Sequence, residues 1–144
     1  MANDELYTPK WIFDALGVEF DLDVCAPKNG PLHTPTKRWF TQEDDGLANE
    51  WIGRVWMNPP YSKPAPWIDK WLNHGNGFAL VAFSKSNWFG DLWSSKAALC
   101  RLPTNTAFID TNNKKQQIWM PVCMFAIGET NITALEMSGL GRIR

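Results

Sequence analysis

The sequence predicts an α/β domain in which a sheet is covered by helices on both faces, three layers in all. Three observations carry this: the short strand-like string RVWM at residues 54–57, apolar after its arginine; Trp67, Ile68, Trp71 and Leu72 at helical spacing within 66–74; and the unbroken apolar run GFALVAF at 77–83. Strand, helix and strand in succession imply a right-handed crossover between parallel strands. An apolar run without polar alternation is the pattern of a strand buried on both sides. Helices laid over a sheet are how such elements hide their apolar faces.

The other elements follow from local signals. Thr8 is the expected N-cap of a helix over Lys10 to Leu16, with Pro9 at its first position and Gly17 as its stop. Residues 20–25 (FDLDVC) alternate apolar and acidic, a strand that breaks into APKNGP. Residues 26–43 read as a long irregular loop, a length that compact domains tend to reserve for function. After GFALVAF a second loop, SKSNWFGD, leads to a helix over 92–99, and 106–109 and 122–127 read as later strands. NNKKQQ at 112–117 reads as a polar hairpin tip.

A chain of 144 residues suits one domain, spanning 1–144, without a separate target-recognition module. The net charge of −1 gives no global signal for a polyanionic partner, so any such contact must be local. Three widely spaced cysteines and two histidines suit reduced thiols rather than a disulfide framework, and no metal is expected. MANDELYTPK lacks a basic region followed by an apolar run, and no stretch is long enough to cross a bilayer, so a cytoplasmic protein without a membrane partner is expected. Nine tryptophans exceed what a core of this size needs. Trp39, Trp51 and Trp56 are assigned to the core, and Trp88 and Phe89, in the loop after GFALVAF, to a pocket for a flat ring.

The strongest chemical signal is Asn58-Pro59-Pro60-Tyr61 directly after the 54–57 strand, since ligand sites of open α/β sheets gather at the carboxyl ends of strands. Two prolines remove two amide donors and hold the residues before them extended, giving a stiff turn with outward carbonyls. The Asn58 side-chain oxygen and the Pro59 carbonyl can then accept both hydrogens of an exocyclic amine. This draws the nitrogen lone pair out of conjugation and leaves it aimed at an incoming carbon. Tyr61 offers a face on which the ring can stack, worth on the order of 1–3 kcal/mol, and can sit near a cationic methyl donor.

With YTPKWIF, DLDVCAP, EDDGL, the W-x-G-R-V-W-MNPPYS block and PWIDKW in this order, the chain resembles the phage-type DNA N-6-adenine methyltransferases of the Dam-like family. The resemblance implies a truncated Rossmann-like methyltransferase fold, S-adenosylmethionine as methyl donor, DNA as partner and adenine as target, in a phage or prophage protein. It places catalysis on Asn58, Pro59, Pro60 and Tyr61. Tyr7, Thr8 and Pro9 match the segment beside the donor's methionine part, Asp23 the acidic strand-end contact, and Asp45 the acidic position at the donor's adenine, with Asp44 as its alternative. Larger relatives carry a glycine-rich turn where Cys25, Ala26 and Pro27 stand here; Cys25 and Ala26 are therefore expected against the donor.

DNA contacts are expected from Lys37, Arg38, Ser62, Lys63 and Lys85, with Lys28 as a further cation near the same sheet end; His33, in the same loop, is expected in solvent, a phosphate contact being the lesser alternative. Asp21 and Asp23 share a strand face, a solvated or cofactor-facing edge more than an acid–base pair. The rival readings are cytosine N-4 methylation, methylation of a protein glutamine, and a lapsed enzyme that only binds nucleic acid or a partner.

Overall fold

The apolar strings of the sequence become the strands of a mixed sheet. In a computed structural model, which describes residues 6–110, 112–117 and 120–144, the elements begin with β1 (Leu6–Tyr7), α1 (Lys10–Leu16), β2 (Leu22–Asp23), β3 (Val55–Met57), α2 (Ala65–His74) and β4 (Gly77–Ala82). They continue with α3 (Asn87–Trp93), β5 (Ala98–Arg101), β6 (Ala107–Asp110), β7 (Lys115–Gln117), β8 (Val122–Ile127) and α4 (Glu129–Met137). Residues 1–5, part of the amino-terminal reading above, lie outside the described residues.

The GFALVAF run supplies β4, the middle strand of a five-stranded sheet ordered β2-β3-β4-β8-β5. β2, β3 and β4 are parallel, as the strand–helix–strand pattern predicts; β8 is antiparallel to β4, and β5 is antiparallel to β8. β5 therefore runs the same way as β4. Because side chains alternate along a strand, Phe78 and Leu80 pack with Met124 and Ala126 against Ile12, Phe13 and Leu16 of α1 and Leu135 of α4. Ala79 and Val81 pack with Cys123 and Phe125 against Ile68 and Trp71 of α2 and Phe89 and Leu92 of α3. The sheet is thus covered by helices on both faces, the three-layer arrangement expected. A smaller antiparallel sheet, β1-β6-β7, joins the start of the chain to the hairpin around residues 112–114.

Several local readings change. Gly17 ends α1 as expected, in the left-handed conformation with its N–H on Phe13 O at 3.0 Å, but the N-cap is Pro9. Thr8, one residue earlier, makes no cap and is buried elsewhere. The helix expected over 92–99 is α3, starting at Asn87, and its expected second half is strand β5. The reason is tertiary: Phe89 and Leu92, three apart, bury one helix face, whereas Ala98 and Cys100 alternate inward opposite Ala126 and Met124. The FDLDVC strand contracts to two residues, and the long loop contains a stretch over 36–40 that runs beside β2. There Asp23 N–H donates to Arg38 O at 3.0 Å and Phe40 N–H to Asp23 O at 2.9 Å. Trp39, expected in the core, lies on this margin and is 43% exposed.

α4 was not foreseen, and a polar network fixes it to the sheet. Asn131, fully buried, accepts from Arg54 Nε at 2.6 Å and donates to Asn76 Oδ1 at 2.7 Å and Ile127 O at 2.8 Å. Removing one member leaves the others desolvated and unpaired. Asn131→Ala is expected to lower unfolding stability by about 2–3 kcal/mol in urea titration; a loss below about 0.5 kcal/mol would show that the network carries no weight.

Candidate active site

β3 is fully buried across Val55, Trp56 and Met57, and its ladder stops where two prolines follow and no amide is available to continue it. The tetrapeptide 58–61 therefore stands at the carboxyl end of the sheet, and three clefts open around it.

The inner cleft, a narrow one of about 20 Å³, is walled by Tyr7, Thr8, Asp23, Cys25 and Asn58 together with residues 31–34. It gathers side chains from β1, the end of β2, the long loop and the end of β3. Among the described residues Asn58's side-chain amide has no hydrogen-bond partner, so its oxygen remains available as an acceptor. Asp23 is 3% exposed. Burial pushes its carboxyl up to about 7, and the Cys25 N–H donating to Oδ1 at 3.2 Å pulls it down more weakly. Among the described residues no side-chain cation pairs with Asp23. A buried acid with a strongly raised pKa facing a cleft is the pattern of a functional group.

The wide cleft, of about 1130 Å³, is lined by Cys25 and Ala26 on one side, Asp45, Gly46 and Leu47 on another, and Pro60, Ser62, Lys63 and Trp67 on the third. Asp45 holds a left-handed backbone (φ 55°), tolerable for an aspartate and common at binding turns. The turn is pinned from behind: the Asn49 amide donates to the Asp44 and Asp45 carbonyls at 2.7 and 2.9 Å, Trp51 Nε1 to Gly46 O at 2.8 Å, and Lys70 Nζ to Leu47 O at 2.9 Å. Gly46 has to be glycine, because a methyl group there would collide with the Val24 carbonyl and the Trp67 ring. Of the two aspartates offered by the sequence, Asp45 faces the cleft. The Asp44 carboxylate instead accepts from Thr41 N–H at 2.9 Å and Thr41 Oγ1 at 3.2 Å.

The third cleft, of about 520 Å³, lies between Pro59, Tyr61 and Pro64 on one side and Val81, Phe83, Ser84 and Trp88 on the other. Tyr61 is 38% exposed, so part of its surface is accessible. Trp88 lines this cleft. Phe89 does not: it is 4% exposed and packs edge-on to Phe125 in the core, because it lies on the inward face of α3.

The expected cations divide. Ser62 and Lys63 reach the wide cleft. Lys85 is exposed on the loop after β4, and Lys37 and Arg38 are exposed on the margin beyond β2; none of these three lines the clefts described. Pro9 is buried at the start of α1, behind Thr8. Sequence reading missed Leu32 and Thr34 at the inner cleft, Thr41 and Gln42 at the wide one, and Phe83 at the third. The first four carried only the signal of membership in the long loop 26–43, and Phe83 was read as the end of the buried apolar run. Among the described residues no three His, Cys, Asp or Glu side chains gather as a metal site, and no helix is long and apolar enough to cross a membrane.

Asn58, Pro59, Pro60 and Tyr61 thus form a partition: Asn58 in the inner cleft, Pro60 beside the wide one, Pro59 and Tyr61 in the third. An acceptor pair on such a partition can hold an amine of a flat ring on one side against a cationic group on the other. Known proteins resemble this chain in sequence. The DNA N-6-adenine-methyltransferase of Haemophilus phage HP1 (strain HP1c1) is 41% identical over 66 residues, 42% of this chain and 36% of the phage protein. The match thus spans about a third of that relative's length. No solved structure matches the chain. The family model described as DNA N-6-adenine-methyltransferase (Dam) matches residues 1–118, a stretch that holds all three clefts except for their supporting β8 strand, and the chain belongs to that family.

Proposed function

We propose that this chain is an S-adenosylmethionine-dependent methyltransferase that modifies the exocyclic N-6 amine of adenine in DNA, working as one catalytic domain of truncated Rossmann-like fold. The observation that carries the proposal is the partition at 58–61, which sets an unpartnered Asn58 and a buried, uncompensated Asp23 on one side and an aromatic-walled cleft on the other. The fold assignment is supported by the parallel strands β2, β3 and β4, whose carboxyl ends meet at the site.

The residues fit the donor the family implies. Asp23, with Tyr7 and Thr8 beside it, suits the ammonium group of the amino-acid end; Asp45, Cys25, Ala26, Ser62 and Lys63 line a cleft wide enough for the nucleoside end. When bound, the donor supplies a methyl group carried on a positively charged sulfur. The protein's part lies with the amine. Asn58 Oδ1 and the Pro59 carbonyl accept its two hydrogens, turning the lone pair out of the ring system and toward the inner cleft. Tyr61 and Trp88 hold the ring after it leaves the base stack. Taking the methyl as the donor's C–S bond breaks to a neutral thioether would leave the nitrogen positively charged, and its proton would then pass to water, so no strong general base is required. The phage relative supports a phage or prophage source, and the site of action is the host cytoplasm.

The test is product analysis. Purified protein incubated with the donor and unmethylated DNA, then digested to nucleosides, is expected to yield N-6-methyladenine by mass spectrometry. Methylcytosine instead would change the substrate and keep the amine chemistry; neither product, with intact donor binding, would remove DNA methylation as the function.

A further inference from the structure

The cleft beside Tyr61 does not end at Phe83. On the far side of that ring an apolar groove of about 870 Å³ continues to the sheet margin, walled by Phe83, Trp93, Leu99, Arg101, Arg142 and Arg144. All of it lies at the end of the sheet that carries Asn58. Phe83 follows the carboxyl end of β4, and Arg101 and Val81 both pair with Cys123 of β8. Residues 142–144 run beside β5, with reciprocal backbone bonds between Leu99 and Arg144 at 2.8 and 2.9 Å.

The chemistry of the groove is of one kind. It offers three guanidinium groups and two exposed aromatic rings, and no acidic side chain lines it. Among the described residues none of these arginines is in an ion pair. The Arg144 guanidinium lies 3.7 Å from the centre of the Trp93 ring, which is 44% exposed. Aromatic faces flanked by guanidinium groups suit a single-stranded polynucleotide, whose bases stack and whose phosphates pair. A chain of net charge −1 must concentrate such groups locally to hold a polyanion.

We propose that this groove is the track for the DNA strand on one side of the target nucleotide, with neighbouring bases resting on Phe83 and Trp93 and their phosphates meeting Arg101 and Arg142. The inference rests on the DNA reading above. Continuity selects the occupant: Phe83 is a wall of both clefts, so a strand whose base enters beside Tyr61 passes directly over the groove.

The experiment compares wild type with Arg101→Gln/Arg142→Gln, both exposed positions, in DNA-binding anisotropy over a salt series and in steady-state methylation. Expected are a KM for DNA raised about tenfold, a log–log salt slope shallower by roughly 1–2, and kcat and donor KM within about twofold. Trp93→Ala should weaken oligonucleotide binding about tenfold with an unchanged salt slope, as loss of a stacking face does. Should the double variant unfold, Arg101→Gln alone carries the test. Wild type that methylates DNA while the arginine variants keep their DNA affinity and salt slope overturns the groove and leaves the activity standing. Wild type that binds DNA without methylating it, with a slope that falls in the variants, keeps the groove and removes the enzymatic reading. No DNA binding by wild type overturns both. A change of sedimenting mass in the variants at constant DNA affinity gives the groove to a second copy of the chain, which also overturns the proposal.

Discussion

Asn58→Ala is expected to lose methyl transfer by roughly 10²–10³-fold in kcat, the scale of removing one preorganised hydrogen-bonding partner from a reacting group. The side chain stands half-buried at the carboxyl end of β3 without a described protein partner. Its loss therefore breaks no fold-stabilising bond, and the unfolding midpoint should hardly move. Without Oδ1, one amine hydrogen lacks its acceptor and the lone pair drifts back into the ring. The donor's Kd, read by calorimetry, should stay within about threefold, because the effect is confined to the transition state. Near-parent turnover by this variant would remove Asn58 from the chemistry.

The second large effect belongs to Asp23. Its carboxyl has an ordinary value of 3.8 and is pushed to about 7 by burial. Between those values the folded chain holds a proton that the unfolded chain lacks, so stability falls as pH rises from about 4 to about 7 and levels off above. At about 1.4 kcal/mol per tenfold, the ionised form costs on the order of 4 kcal/mol. Asp23→Asn should thus be the more stable protein at pH 8, by an amount that vanishes toward pH 4, in urea titrations of the donor-free chain. Donor binding should run the other way. A cation beside Asp23 favours ionisation, so affinity should rise up to tenfold per pH unit below 7, with proton release seen in buffers of different ionisation enthalpy. In Asp23→Asn that pH dependence should disappear and the Kd should rise by roughly 10–100-fold. Equal pH profiles in both proteins would place the donor's charge elsewhere.

What was legible in the sequence was what covalent order already decides. The four residues 58–61 stay together whatever the fold does, and the apolar strings at 54–57 and 77–83 have nowhere to go but the sheet centre. Gly17 names its own left-handed turn. What was not legible depends on the path of the chain through space. Trp88 and Phe89 are neighbours in sequence, and only the register of α3 sends the first to a cleft and the second to the core. Asp44 and Asp45 are separated by which one caps the turn after Thr41. Lys37 and Arg38 share a loop with residues that reach the inner cleft, yet pairing with β2 fixes them on the outer margin of the sheet, two strands from Phe83. The string at 97–100 is equally apolar as helix or strand, and β8 decides between them.

The two margins of the five-stranded sheet have one further consequence. A sheet edge with unpaired amides and carbonyls is a template on which another chain can add a strand. Here the outer side of β2 is occupied by residues 36–40 and the outer side of β5 by residues 142–144, each through backbone bonds of the chain to itself. That sheet is protected from growing by strand addition into ribbons or filaments. Opening either margin, by proline at Phe40 or at Arg144, exposes a sticky seam, and concentration-dependent aggregation is the cost.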